Sequence, residues 1–186
     1  MGSLSAFAGC KPVLPAHEAA RATPVGPLAV VSLTAWDREA TVAALRDTLG
    51  LLLPEAGRWT AAQDIVAVWL GPDHWVLQRE ATAPLLPQIA GVVGHHAGLI
   101  DLTDARAVLR LTGPAAREIL SALLPIDLHP RGFAPGRAAT TVTSHLTVQL
   151  RQIDTAPTYE LSVGRSFAGS LWRSLELAGT GRLRLG

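Results

Sequence analysis

The sequence predicts an α+β fold in which two pseudo-repeated β-α-β-β-α halves carry antiparallel sheet. Three observations point there. Short apolar runs of strand length alternate with segments whose apolar residues recur at helical spacing. The helical segments are bracketed by capping residues, Asp37 and Gly50 around the first of them. The same order of elements returns after residue 100, and Leu33-Thr34 and Leu111-Thr112 stand before matching helices. Each half resembles most of a split β-α-β unit, which packs helices on one face of an antiparallel sheet.

In chain order, residues 1–27 read as a flexible arm. Pro12, Pro15, Pro24 and Pro27 interrupt regular structure there. Residues 28–178 form a single α+β domain of the two pseudo-repeats, and residues 179–186, with Arg182 and Arg184, form a tail in solvent. Residues 28–34 are a strand. Asp37 caps a helix over 38–49, with Val42, Leu45 and Leu49 on one face. Residues 65–70 and 75–78 are strands joined by the turn Gly71-Pro72-Asp73-His74. Thr82 caps a second helix, in which Leu85, Ile89 and Val92 form the buried stripe and Gly94 ends it; Pro84 suits its first turn. Residues 108–111 are the next strand. Gly113-Pro114 opens a helix carrying Ala116, Ile119, Leu120 and Leu123. Residues 139–143, 146–151 and 159–163 are further strands, and Ser166 caps a last helix that buries Phe167, Leu171 and Leu175.

Composition removes several function classes. With a net charge of +1, the chain has no electrostatic footprint for nucleic acid. Its apolar runs, such as 119–126, fall far short of a membrane span. Cys10 is the only cysteine, so no intrachain disulfide forms; Phe7-Ala8-Gly9-Cys10 faintly resembles a lipoprotein cleavage site, but no basic region or long apolar stretch precedes it, and a cytoplasmic protein is expected. Lys11, the only lysine, sits in the Pro-rich arm, which suits neither a Walker phosphate loop nor a Schiff base. Gly-x-Gly-x-x-Gly, Gly-x-Ser-x-Gly and Cys-x-x-Cys do not occur, so no cofactor is expected in this chain.

Two stretches concentrate reactive side chains. In 100–120 (IDLTDARAVLRLTGPAAREIL), Asp101, Asp104 and Arg106 lie close together. Carboxylates beside an Arg suit an acid/base pair or an anion clamp, and equally suit a turn with a local salt bridge. The Gly113-Pro114 helix start offers free N–H groups to an anion, or is simply a helix start. In 127–136 (DLHPRGFAPG), Asp127, His129 and Arg131 share a loop that serves either recognition or connection. Trp69 and Trp75 flank a hairpin turn, where aromatic residues cover a core. His95-His96 is not a metal site, because adjacent side chains point apart.

These segments resemble a known family. WLGPDHWVL at 69–77, the 100–120 stretch, DLHPRGFAPG at 127–136 and YELSVGRSFAGSLW at 159–172 occur in this order and spacing in sarcosine oxidase gamma subunits. The similarity spans roughly 28–178; ALLPI at 122–126 departs from the pattern. The resemblance implies a heterotetramer in which this chain joins alpha, beta and delta subunits. It implies that FAD, FMN and NAD sit in the large subunits, and that sarcosine loses its methyl group as formaldehyde or to tetrahydrofolate. It implies a fold similar to the folate-binding domains of glycine-cleavage T-proteins, and no catalytic role for the subunit itself. Asp101, Arg106, Asp127, His129 and Arg131 are then candidate binding or interface residues. The competing readings are a stand-alone folate-binding or aminomethyltransferase-like protein, and a regulatory module on the same fold.

Overall fold

The computed structural model describes residues 6–7, 19–81, 83–143 and 145–179. The chain divides into two compact units, Gly26–Asp104 and Met1–Val25 with Ala105–Gly186.

In the first unit the order is β2 (Leu28–Ala35), α1 (Arg38–Leu49), β3 (Trp59–Ala62), β4 (Ile65–Gly71), β5 (His74–Glu80), α2 (Leu85–Val93) and β6 (Ala97–Asp101), with β1 (Arg21–Val25) belonging to the second unit. All pairings are antiparallel, in the sheet order β3-β4-β5-β2-β6. Period-2 alternation sends Val31, Leu33, Trp75 and Leu77 to the helix-covered side. Helix α1 starts where expected, because the Asp37 carboxylate accepts from the Ala40 N–H at 3.0 Å. It stops at Gly50, whose φ of 65° suits the left-handed C-cap. Its inward face buries Thr41, Leu45 and Leu49. A fully buried leucine contributes about 2 kcal/mol, so this face holds the helix more than its propensity does. Helix α2 contributes Leu85, Ile89 and Val93; Val93, not Val92, completes its fully buried stripe.

The second unit runs β7 (Arg106–Thr112), α3 (Ala116–Leu123), β8 (Ala138–Thr143), β9 (Leu146–Asp154), β10 (Thr158–Gly164) and α4 (Ala168–Gly179), and adds β1 (Arg21–Val25). Its sheet is also antiparallel, in the order β1-β7-β10-β9-β8. Leu109, Leu111, Leu150, Tyr159 and Leu161 meet Ile119, Leu120, Leu171 and Leu175 in a separate core.

Several expectations need correction. Residues 21–25 are not arm but strand β1, paired with β7 from Arg21↔Thr112 to Val25↔Val108. Pro24 fits because β1 is an edge strand, where a missing N–H breaks no ladder. Each unit carries five strands where β-α-β-β-α allows three: the first adds β3 and β6, and the second adds β1 and one more strand after α3. The last helix starts at Ala168 after a 3-10 turn, Arg165–Phe167, and Phe167 is 45% exposed instead of buried. The side chain of Trp172 takes its place in the core. The expected cap at Thr82, the cysteine, the lysine and the tail beyond Gly179 lie outside the described residues.

Candidate functional site

Charge inside the second unit gathers on the sheet face opposite its core. Ala107, Leu109 and Leu111 point to the core, so Arg106 and Arg110 on β7 point the other way. The ladder sets Glu160 of β10 between Arg110 of β7 and Arg151 of β9. Glu160 is 3% exposed and Arg151 8% exposed. Arg110 Nε and Nη2 both donate to Glu160 Oε1, at 3.1 and 2.6 Å. Arg151 Nε donates to Glu160 Oε2 at 3.0 Å, and its Nη2 bonds the same oxygen. Each carboxylate oxygen therefore accepts two charge-assisted hydrogen bonds from the side-on edge of one guanidinium. Burial pushes the Arg151 guanidinium down from its usual range, and the adjacent Glu160 opposes that.

One strand position along, Arg106 Nη2 donates to Gln149 Oε1 at 2.9 Å. Burial lowers the Arg106 pKa too. Arg106 Nε and Gln149 Nε2 are buried without a hydrogen-bond partner.

The residues singled out from the sequence fall in three places. Asp101 ends β6 in the first unit, where its carboxylate accepts from the Thr103 N–H at 2.9 Å. Bonds from the Thr103 hydroxyl and backbone hold its pKa below the usual carboxylate range. Arg106 belongs to the second unit and bonds Gln149, and no ion pair joins it to Asp101 or Asp104 among the described residues. In the 127–136 loop, Asp127 Oδ1 accepts from the His129 N–H at 2.8 Å, and His129 Nδ1 accepts from the Arg131 N–H at 3.2 Å. The neutral imidazole thus carries its proton on Nε2. The His129 carbonyl accepts from Gly132 and Phe133. Leu128 and Phe133 anchor the loop in the core, and Asp127, His129 and Arg131 stay exposed on it.

The Gly113-Pro114 turn holds no free anion cradle. The Ala115 N–H donates to the Ala19 carbonyl at 3.2 Å, so the chain fills its own helix start. Trp75 is fully buried and donates to the Pro54 carbonyl at 2.9 Å, which makes it a core residue. The rings of His95 and His96 do not point apart: a 3-10 turn brings their centroids to 4.2 Å with the planes tilted by 37°. No group of three or more His, Cys, Asp or Glu is placed to hold a metal among the described residues. Ser32 Oγ and His74 Nε2 lie 2.8 Å apart in the first unit, but among the described residues no carboxylate is hydrogen-bonded to the imidazole as a triad requires. No helix among the described residues is long and apolar enough to cross a membrane.

Sequence reading missed Arg110, Gln149, Arg151 and Glu160. The available signal was their spacing: each sits at a position that alternates with the core-facing residues of its strand.

Residues 34–180 match the family model described as "Sarcosine oxidase, gamma subunit family". The chain is 40% identical over 111 residues to the sarcosine oxidase subunit gamma of Corynebacterium sp. (strain U-96), covering 58% of this chain and 54% of that protein. It is 37% identical over 140 residues to the subunit gamma of an Arthrobacter species, covering 72% and 64%. The matched part thus spans between about half and two thirds of those relatives' length. Among solved structures, a chain of the heterotetrameric sarcosine oxidase from Corynebacterium sp. U-96 superposes with a TM-score of 0.83 at 27% identity, covering 99% of this chain and 98% of that one. The glycine cleavage system aminomethyltransferase T from Bartonella henselae matches with a TM-score of 0.66 at 16% identity, covering 94% and 53%, which shows a shared fold.

Proposed function

The chain belongs to the sarcosine oxidase gamma subunit family, and from that premise we propose that it serves as the gamma subunit of a heterotetrameric sarcosine oxidase, with a structural role in assembly. The observation that carries this is the near end-to-end superposition, 99% of this chain on 98% of the other, on a chain of an enzyme named as a heterotetramer. Its partners are the alpha, beta and delta subunits. The complex demethylates sarcosine oxidatively in the cytoplasm, with methyl transfer to tetrahydrofolate, and FAD, FMN and NAD reside in the partner subunits. Asp101, Arg106, Asp127, His129 and Arg131 serve as binding or interface residues. The exposed trio on the 127–136 loop is the best presented of these, because a folded loop anchored by Leu128 and Phe133 offers a preformed surface.

The two units are a pseudo-repeat in this proposal. Supporting it, both run β-α-β-β-β-α, and the sheet orders β3-β4-β5-β2-β6 and β8-β9-β10-β7-β1 correspond position by position. The fifth strand follows its unit in one case and precedes it in the other.

Co-expression of the chain with alpha, beta and delta subunits from the same source tests the assignment. The expected result is co-purification in a yellow complex that oxidises sarcosine. A chain that elutes alone, and binds tetrahydrofolate at micromolar concentration by itself in calorimetry, overturns it in favour of a stand-alone folate-binding protein.

A further inference from the structure

We infer that the β7–β10–β9 face of the second unit carries a binding position for a small carboxylate, built from the unpaired donors Arg106 Nε and Gln149 Nε2. The two residues share this face, because the ladder sets Arg106 opposite Gly164 and sets Ser162 opposite both Val108 and Gln149. Gly164 presents no side chain, so the Arg106 side chain reaches diagonally to Gln149. The 2.9 Å bond from Arg106 Nη2 to Gln149 Oε1 fixes the amide. Turning the amide over would set a donor against a donor, so Nε2 must remain a donor. Gln149 is 6% exposed, and neither its Nε2 nor Arg106 Nε has an acceptor among the described residues.

Buried donors are almost always paired, so two neighbouring ones without acceptors mark the place of a missing partner. That partner must be acceptor-only, and beside a guanidinium edge it is best anionic. The same face shows the chemistry twice over: Arg110 and Arg151 each turn the Nε–Nη2 edge to the Glu160 carboxylate. Arg106 turns the same edge and meets only a neutral amide. Burial lowers the Arg106 pKa, as it does for a cation short of a counter-ion. Arg106 is itself only half-buried, which leaves a route for a small ion. This inference does not depend on assembly into an oxidase.

The test is titration of the full chain with carbon-13-labelled acetate, followed by NMR at constant ionic strength, beside the variants Gln149→Glu and Arg106→Gln. Gln149→Glu supplies a tethered carboxylate to the Arg106 edge. The expected result is saturable acetate binding by the parent chain, at least tenfold weaker in both variants, with a thermal midpoint that rises with acetate in the parent and is already raised and acetate-independent in Gln149→Glu. If Gln149→Glu does not fold, Arg106→Gln alone carries the comparison. No saturable binding to the parent, or a parent-like acetate response in the variants, overturns the inference. So does a crystal grown in acetate that shows a lone water between Arg106 Nε and Gln149 Nε2.

Discussion

Replacing Glu160 by Gln removes the one charge that serves two guanidinium groups in the second unit, and the structure sets the size of the effect. The side chains of Glu160 and Arg151 are 3% and 10% exposed, so the variant breaks a buried ion pair. Breaking a buried pair by removing one partner costs about 3–5 kcal/mol. A Coulomb estimate agrees in order: at the 3.0 Å Nε–Oε2 separation and an effective dielectric of about 20, the attraction is about 5 kcal/mol before desolvation is subtracted. The Arg110 side chain is 47% exposed, so water screens its bond to the same carboxylate. Removing it by Arg110→Met therefore costs about 1 kcal/mol or less. Urea unfolding by circular dichroism gives the stabilities. Hydrogen exchange of β9 and β10 peptides locates the loss in the second unit, which matters because two units need not unfold as one. The reasoning fails if Arg110→Met costs as much as Glu160→Gln, since exposure would then not govern the energetics. Replacing Glu160 and Arg151 together by Leu should recover most of the loss, because both buried charges are removed together.

Further outcomes follow from single contacts. Gly113→Ala should destabilise the second unit by about 2 kcal/mol or more in thermal unfolding. The position has a φ of +110°, and a Cβ there would fall 2.3 Å from the Ala19 carbonyl oxygen, so exchange should rise first in β1. Asp37→Ala should cost the first unit about 1 kcal/mol by loss of the helix cap, whereas Asp37→Ser should cost little; equal losses would contradict the cap. The Asp101 carboxylate has a lowered pKa in the folded chain, so its contribution is present above the unfolded value of about 3.9 and fades as pH falls through the folded value. The Thr103 amide shift should titrate with a midpoint below that of a model aspartate, and should stop titrating in Asp101→Asn.

Where local chemistry and tertiary structure agreed, the sequence was readable. Asp37 and Gly50 bracket α1 with residue types whose geometry allows little else, and Ala116, Ile119, Leu120 and Leu123 all lie in the core as their spacing demands. It was silent where structure depends on partners distant in the chain. Strand β1 holds a proline and no alternation, and pairs only because β7 offers an open edge 80 residues or more away. Phe167 looked like a core residue by hydrophobicity, but a 3-10 turn rotates it outward. The site was legible in part. Arg106 was found, but its amide partner Gln149 lies 43 positions away, a pairing only the ladder reveals. Glu160 and its two arginines were read as parts of strands, because the pattern that marks a strand says nothing of what lies on its other face. The four matched segments carried the family, and Glu160 lies inside one of them.

Native mass spectrometry of the complex recovered through an affinity tag on this chain tests the central claim most directly. The account predicts one mass that contains this chain once, with one alpha, one beta and one delta subunit, bound flavin and sarcosine oxidase activity. A free chain, or a flavin-containing assembly of the other subunits that is complete and active without it, would contradict the account.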